Sequence, residues 1–215
     1  PAPAVLDGLK AACPGVRTSA DNTAAAKQDI VFLAVHPPLF KDVLPALRPA
    51  LKPEALVVSL APKFTLAKVG EMLGGTQRVA RVIPNAPSIV GAGYNPLAFA
   101  AGASDMDRAA LRGLLAPLGE CPEVAEAKLE AYAILTAMGP TYFWFQLYEL
   151  LALAESFGLS PAEAQTAAAR MLNGAMDTIM KSGLRPEQVK DLIPVKPLAD
   201  IESTVAEAYR AKLRA

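Results

Sequence analysis

The chain has 215 residues, enough for one large domain or two modest ones, and 53% of them are apolar, so a substantial core can form. Its 21 basic and 21 acidic residues cancel and no basic block stands out, which argues against a nucleic-acid groove or an anionic membrane surface as the main partner. Two cysteines without CxxC spacing, Cys13 and Cys121, fit a reducing cytoplasm, and a single histidine, His36, excludes a multi-histidine zinc site.

The first residues, Pro1-Ala2-Pro3, carry no methionine and do not open a signal peptide; the expectation is a fragment, or a chain whose first segment precedes Pro1. Residues Gly15 to Ala26 read as the approach to a strand. Ile30 to Val35 (IVFLAV) is a continuous apolar run, as a strand buried on both faces of a parallel sheet requires. Phe40, Val43, Leu44 and Leu47 then repeat with helical spacing, and Pro45 kinks or shortens that helix. Ala55 to Leu60 (ALVVSL) is a second strand. Thr65 caps a helix carrying Leu66, Val69, Met72 and Leu73, which Gly74 ends. Arg78 to Ile83 (RVARVI) is a third strand, stopped by Pro84; a fourth lies within Gly93 to Ala100. Leu111, Leu114, Leu115 and Leu118 make a further helical stripe, with Ser104 as cap and Gly119 as stop, before a short fifth strand near Pro122 to Ala125. Strands alternating with helices predict an α/β layer with a parallel sheet.

Beyond about Glu126 only helical signals remain, so the domain boundary falls near residues 126–130: an α/β domain over 1–127 and an all-helical domain over 128–215. Pro140 suits the first turn of a helix running to about Phe157, where Gly158 ends it. Ser160-Pro161-Ala162-Glu163 is a capping box for the next helix, closed by Gly183. A short helix from Pro186 to Leu192 and a last one from about Asp200 to Leu213 follow. The stretch Tyr142 to Leu153 is too short to span a bilayer and contains Gln146 and Glu149. As a helix it is apolar almost all round and must be covered all round. A helical domain of this size hardly does that alone, which predicts a homodimer through the C-terminal helices.

In an open α/β sheet, ligands bind at the carboxyl ends of the strands. Here those ends read Ala34-Val35-His36-Pro37-Pro38, then Ser59-Leu60-Ala61-Pro62-Lys63, then Ile83-Pro84-Asn85-Ala86-Pro87 followed by Gly91-Ala92-Gly93. The prolines make stiff, shaped loops, and the Asn85 amide, donor and acceptor at once, suits a carboxamide or a ribose hydroxyl. Taken with AMGPTY at Ala137 to Tyr142, the runs AVHPP, RVIPNAP and VGAG stand in the order and spacing of the pyrroline-5-carboxylate reductases, and the chain resembles that family over nearly its whole length.

The resemblance implies a partial Rossmann-like domain binding NADP or NAD, followed by an all-α dimerisation domain, with the site between them. It implies that Ala34, His36 and Pro37 line the cofactor, that Ala61 lies beside it, and that Asn85 faces the nicotinamide. Thr136, Met138, Gly139 and Pro140 would form the substrate loop at a helix start, where free N–H groups attract an anion. The implied reaction is hydride transfer to the C=N bond of a cyclic imine, 1-pyrroline-5-carboxylate, giving proline. A protonated imine is already electrophilic, so the site needs no strong general acid. Tyr142 is the nearest hydroxyl for proton donation, with one more aromatic in an interface helix as its plain alternative. As the only histidine, at a strand end, His36 also invites a catalytic role.

The sequence departs from the family in three places. The Gly-rich turn that cradles a pyrophosphate is absent, and would lie before Pro1. His36 stands where the family usually has lysine, and Thr136-Ala137-Met138 where it has a serine- and glycine-rich run. The family's late Ser-Pro-Gly-Gly-Thr-Thr loop is replaced by Ile193-Pro194-Val195-Lys196-Pro197-Leu198, in which Lys196 offers a different kind of anion contact. Two rival readings remain open: a relative of the deazaflavin-dependent NADP reductases or β-hydroxyacid dehydrogenases, and a non-catalytic nucleotide-binding dimer.

Overall fold

The structure, a computed structural model, describes residues 2–213. The chain forms two compact units, Pro1–Gly139 and Pro140–Ala215. In the first, α1 (Pro3–Ala12) and α2 (Asn22–Ala26) precede β1 (Ile30–Leu33), and α3 (Phe40–Leu47) leads to β2 (Leu56–Ser59). Next come α4 (Leu66–Met72), β3 (Val79–Val82), the two short strands β4 (Gly93–Tyr94) and β5 (Leu97–Phe99), α5 (Asp105–Leu115), β6 (Gly119–Glu120) and α6 (Leu129–Tyr132). The second unit contains α7 (Gly139–Ser156, whose first residue belongs to the first unit), α8 (Pro161–Lys181), α9 (Pro186–Asp191) and α10 (Glu202–Lys212).

The main sheet has the order β1-β2-β3-β5. The first three strands are parallel, with Leu33 beside Ser59 and Ser59 beside Arg81, so they end in line. The fourth strand departs from the expected parallel pattern. Gly91, at φ 70°, turns the chain back after β3, and β5 runs antiparallel to it with Leu97 opposite Val82. Asn95-Pro96 splits the expected single strand, and β4 leaves to pair with β6. The expected strand near Pro122 to Ala125 reduces to an isolated bridge of Glu123 with Leu97. The hydrogen bonds Leu97 N–H to the Pro122 carbonyl (3.0 Å) and Val124 N–H to the Leu97 carbonyl (2.9 Å) hold it there.

Residues of β2 and β3 are buried on both faces, as their unbroken apolar runs require. The edge strand β1 is not: Phe32 is exposed. One face of the sheet packs Val57 and Val79 against Phe40, Leu44 and Val69, with Leu129 of α6 fully buried in the same cluster. The other face packs Val58, Ala80 and Val82 against Leu97, Leu111 and Leu115. Helices on both faces of a mostly parallel sheet give the Rossmann-like α/β architecture.

The local stop and start signals act where the sequence puts them. The Thr65 side chain accepts from the Lys68 N–H at the start of α4. Ser104 and Ser160 form capping boxes with Asp107 and Glu163. Gly74, Gly119, Gly158 and Gly183 all carry positive φ at the ends of their helical segments. In the second unit α7 is aromatic and apolar, yet its Phe145 and Tyr148 are 63% and 72% exposed, as is Phe157 just beyond its end, at 83%. With α10 it forms an open, apolar groove of about 620 Å³, lined by Tyr142, Phe145, Ile201, Val205 and Tyr209. Among the described residues, no helix is long and apolar enough to cross a membrane.

Candidate active site at the strand ends

Because β1, β2 and β3 are parallel and end in register, their following loops emerge at one edge of the sheet. Leu60 N–H donates to the Leu33 carbonyl (3.2 Å), fixing the first two tips side by side. Ala34 and His36 are exposed there, Pro37 opens a single 3₁₀ turn, and Ala61 is buried beside the fully buried Ser59, whose hydroxyl accepts from the Ala61 N–H (3.3 Å). Lys63, next but one, has φ 65°, the only non-glycine residue in the left-handed region among the described residues.

Asn85 organises the third tip. Its side-chain oxygen accepts from the Tyr94 N–H (3.1 Å) and from the Ser88 hydroxyl (3.5 Å), while its backbone N–H donates to the Asn95 side chain (3.0 Å). Its Nδ2 donates to the Thr136 carbonyl (3.3 Å), tying the β3 tip to a segment 51 residues later. The Asn85 amide is thus engaged within the loop on both its oxygen and its nitrogen. Asn95 is itself buried and receives the Ser88 hydroxyl (3.0 Å), so the loop is held from inside.

The predicted substrate loop begins inside a π-helical turn, Ala133–Ala137, which holds Thr136 and is closed by Met138 N–H donating to the Ala133 carbonyl (3.0 Å). Such wide turns widen a helix locally and recur at functional sites. The Thr136 hydroxyl donates inward to the Tyr132 carbonyl (2.8 Å), so its one proton is used within the turn itself. Met138 is exposed, Gly139 is buried, and α7 starts at Gly139-Pro140. The structure therefore brings Asn85 and Thr136 together and aligns Ala34, His36, Pro37 and Ala61 at the neighbouring tips. In the second unit the Tyr142 ring meets Tyr209 edge-on (5.7 Å), and burial, with Tyr209 beside it, pushes the Tyr142 hydroxyl above its ordinary value. Lys196 pairs with Asp191 (3.1 Å) in an exposed loop.

An ionic cluster around a buried arginine is not evident from the sequence alone. Arg81, 2% exposed, extends Nη1 to Glu126 (3.1 Å) and Nη2 to Glu130 (2.7 Å). Burial by itself raises the Glu130 carboxyl, but the hydrogen bonds from Arg81 and from the Lys63 N–H outweigh it and hold it below the usual carboxylate range. Two signals for this cluster were visible: an arginine inside an apolar strand, and glutamates four apart on one helical face. What paired them was not.

The donor chemistry at the tips fits a nicotinamide nucleotide. Segments 34–38, 61–65 and 83–92 contain no acidic residue to repel phosphate, and the alanines leave room for a flat ring. Among the described residues no group of three or more His, Cys, Asp or Glu is placed to hold a metal ion.

Comparison with known proteins agrees. The chain is 31% identical over 168 residues to the pyrroline-5-carboxylate reductase of Pseudomonas aeruginosa, covering 78% of this chain and 62% of that protein. It is 27% identical over 165 residues to that of Escherichia coli, covering 77% and 61%. A crystallised pyrroline-5-carboxylate reductase from Coxiella burnetii superimposes with a TM-score of 0.70 at 28% identity, over 99% of this chain and 79% of the other. This chain is related to the pyrroline-5-carboxylate reductases. It spans about 61% of the length of the first curated relatives it matches. The Plasmodium falciparum pyrroline carboxylate reductase, solved with NADP bound, shares the fold at a TM-score of 0.74 and 22% identity, over 91% of this chain and 76% of that one. A family profile described as NADP oxidoreductase, coenzyme F420-dependent, matches residues 2–63.

Proposed function

We propose that the protein is a reductase using NADPH or NADH to reduce the C=N bond of a cyclic imine, 1-pyrroline-5-carboxylate, to proline. The observation that carries this reading is the Asn85 to Thr136 hydrogen bond, which joins the tip of β3 to the turn leading into α7. The relatives named pyrroline-5-carboxylate reductase that support it match over 77% and 78% of this chain. Bound nicotinamide supplies the hydride; the chain's task is to orient the rings and keep water out. Ala34, His36, Pro37 and Ala61 are the residues we assign to the cofactor, with Asn85 shaping the nicotinamide end. Thr136, Met138, Gly139 and Pro140 are assigned to the substrate. Tyr142, whose hydroxyl is pushed above its ordinary value by burial and by Tyr209 beside it, is the proton donor we assign.

In this reading residues 1–127 form the nucleotide domain and 128–215 the substrate and dimerisation domain. The exposed aromatic stripe of α7 supports a homodimer, and the two free thiols, Cys13 and Cys121, fit a cytoplasmic protein. The profile match over residues 2–63 favours a second reading, an NADP reductase working with a deazaflavin. The deciding experiment offers the full-length protein NADPH or NADH together with 1-pyrroline-5-carboxylate, a panel of other cyclic imines, and oxidised deazaflavin. Nucleotide oxidation with 1-pyrroline-5-carboxylate supports the proposal. Turnover of the deazaflavin alone moves the protein to the second reading. A protein that binds neither nucleotide overturns both.

A further inference from the structure

We propose that Arg81 is a positioning residue for the nucleotide site: through Glu126 and Glu130 it fixes the backbone of residues 63–66 at the tip of β2. The inference rests on reading the strand tips as a nicotinamide-nucleotide site.

Arg81 lies on β3, between β2 and β5, on the face that also carries Val79. A guanidinium buried to this degree must be paired, and one carboxylate would neutralise it. It has two, and each has a second function. The Glu130 oxygen that accepts from Arg81 Nη2 also accepts the Lys63 N–H (3.0 Å). The Glu126 oxygen that accepts from Nη1 also accepts the Leu66 N–H (2.6 Å). Leu66 is the first residue of α4, and its N–H has no partner within the helix. Lys63 is the residue with left-handed backbone, a conformation disfavoured for a side-chain-bearing residue unless its surroundings impose it.

Arg81 is therefore the hub of a relay. Its charge gathers two carboxylates that would otherwise repel each other, and those carboxylates hold the two N–H groups that set the course of the chain just beyond Ala61. With both carboxylates partly in solvent, these pairs add little net stability, and the effect proposed for them is the geometry they impose on the backbone. Lysine, a point charge, cannot reach both carboxylates with the fork that arginine presents.

The test uses the full-length protein and the variants Arg81→Lys, Glu130→Gln and Glu130→Ala. Three quantities are read: amide hydrogen exchange across residues 63–66, the Kd for NADPH by titration calorimetry, and KM for nucleotide against kcat. Glu130→Ala is expected to speed exchange across 63–66 and weaken NADPH binding roughly tenfold, with kcat within about twofold, on the scale of lost supporting-shell contacts. Glu130→Gln, which keeps an acceptor oxygen, is expected to recover most of the affinity. Should Glu130→Ala fail to fold, Arg81→Lys carries the same expectation. A variant that melts earlier but binds NADPH as the wild type does would reduce Arg81 to a structural residue and overturn the proposal. A wild-type protein that binds no NADPH or NADH fails before any variant is compared, which marks the functional reading, rather than the relay, as the error.

Discussion

The side-chain nitrogen of Asn85 sits 3.3 Å from the carbonyl oxygen of Thr136 and donates to it, closing a loop of 51 residues. The same side chain accepts the Tyr94 N–H through its oxygen, so one amide ties together the tip of β3, the short strand β4 and the π-helical turn. A site assembled this way depends on a polar side chain whose main partners are protein atoms. Its geometry is accordingly set before any ligand arrives.

Replacing Asn85 tests this directly. Asn85→Ala removes the acceptor for the half-buried Tyr94 N–H and the donor for Thr136, and is expected to destabilise the protein by about 1–3 kcal/mol in urea unfolding. Asn85→Asp keeps the acceptor but turns a carboxylate oxygen toward the Thr136 carbonyl. Its nucleotide KM should rise further than its stability loss would suggest.

Leu129 anchors the helical segment that carries Glu126 and Glu130. It is fully buried in the cluster with Val57 and Val79. Leu129→Ala is expected to cost about 3 kcal/mol, measured as a lower urea midpoint at unchanged slope.

Acid should find Glu130 of the Arg81 cluster and, apart from it, Asp107, which pairs with Arg78. Burial raises the carboxyl groups of both Glu130 and Asp107, but their hydrogen bonds win: Arg81 and the Lys63 N–H lower Glu130, and Ser104 and Arg78 lower Asp107. A carboxylate depressed in the folded state adds stability that is fully present above its unfolded value, about 4, and is lost as pH falls through the folded one. Unfolding midpoints are expected to stay level from about pH 7 to pH 5 and drop below about pH 4. Asp107→Asn and Glu130→Gln should each flatten that drop; an unchanged acid limb in both would remove these two groups as its cause.

The aromatic face of α7 gives a prediction about assembly. Phe145 is 63% exposed and borders the apolar groove formed with α10. Phe145→Glu is expected to shift the sedimenting species from dimer to monomer while leaving far-ultraviolet circular dichroism unchanged. A wild-type protein that sediments as a monomer at micromolar concentration would end the dimer proposal.

Sequence alone determined the elements whose signals are local. The runs IVFLAV, ALVVSL and RVARVI became β1, β2 and β3, and Ser104, Ser160, Thr65 and the terminal glycines set helix limits, because capping and periodicity act within a few residues. The order of proline-marked strand ends was legible for the same reason. Tertiary structure decided what depends on partners far along the chain. Which way β5 runs, that Thr136 lies in a π-helical turn stapled to Asn85, and that Arg81 meets Glu126 and Glu130 all rest on contacts across 15 to 51 residues. An arginine in an apolar strand leaves its pairing open. Only folding, which buries the charge beyond the reach of water, makes those two glutamates its partners.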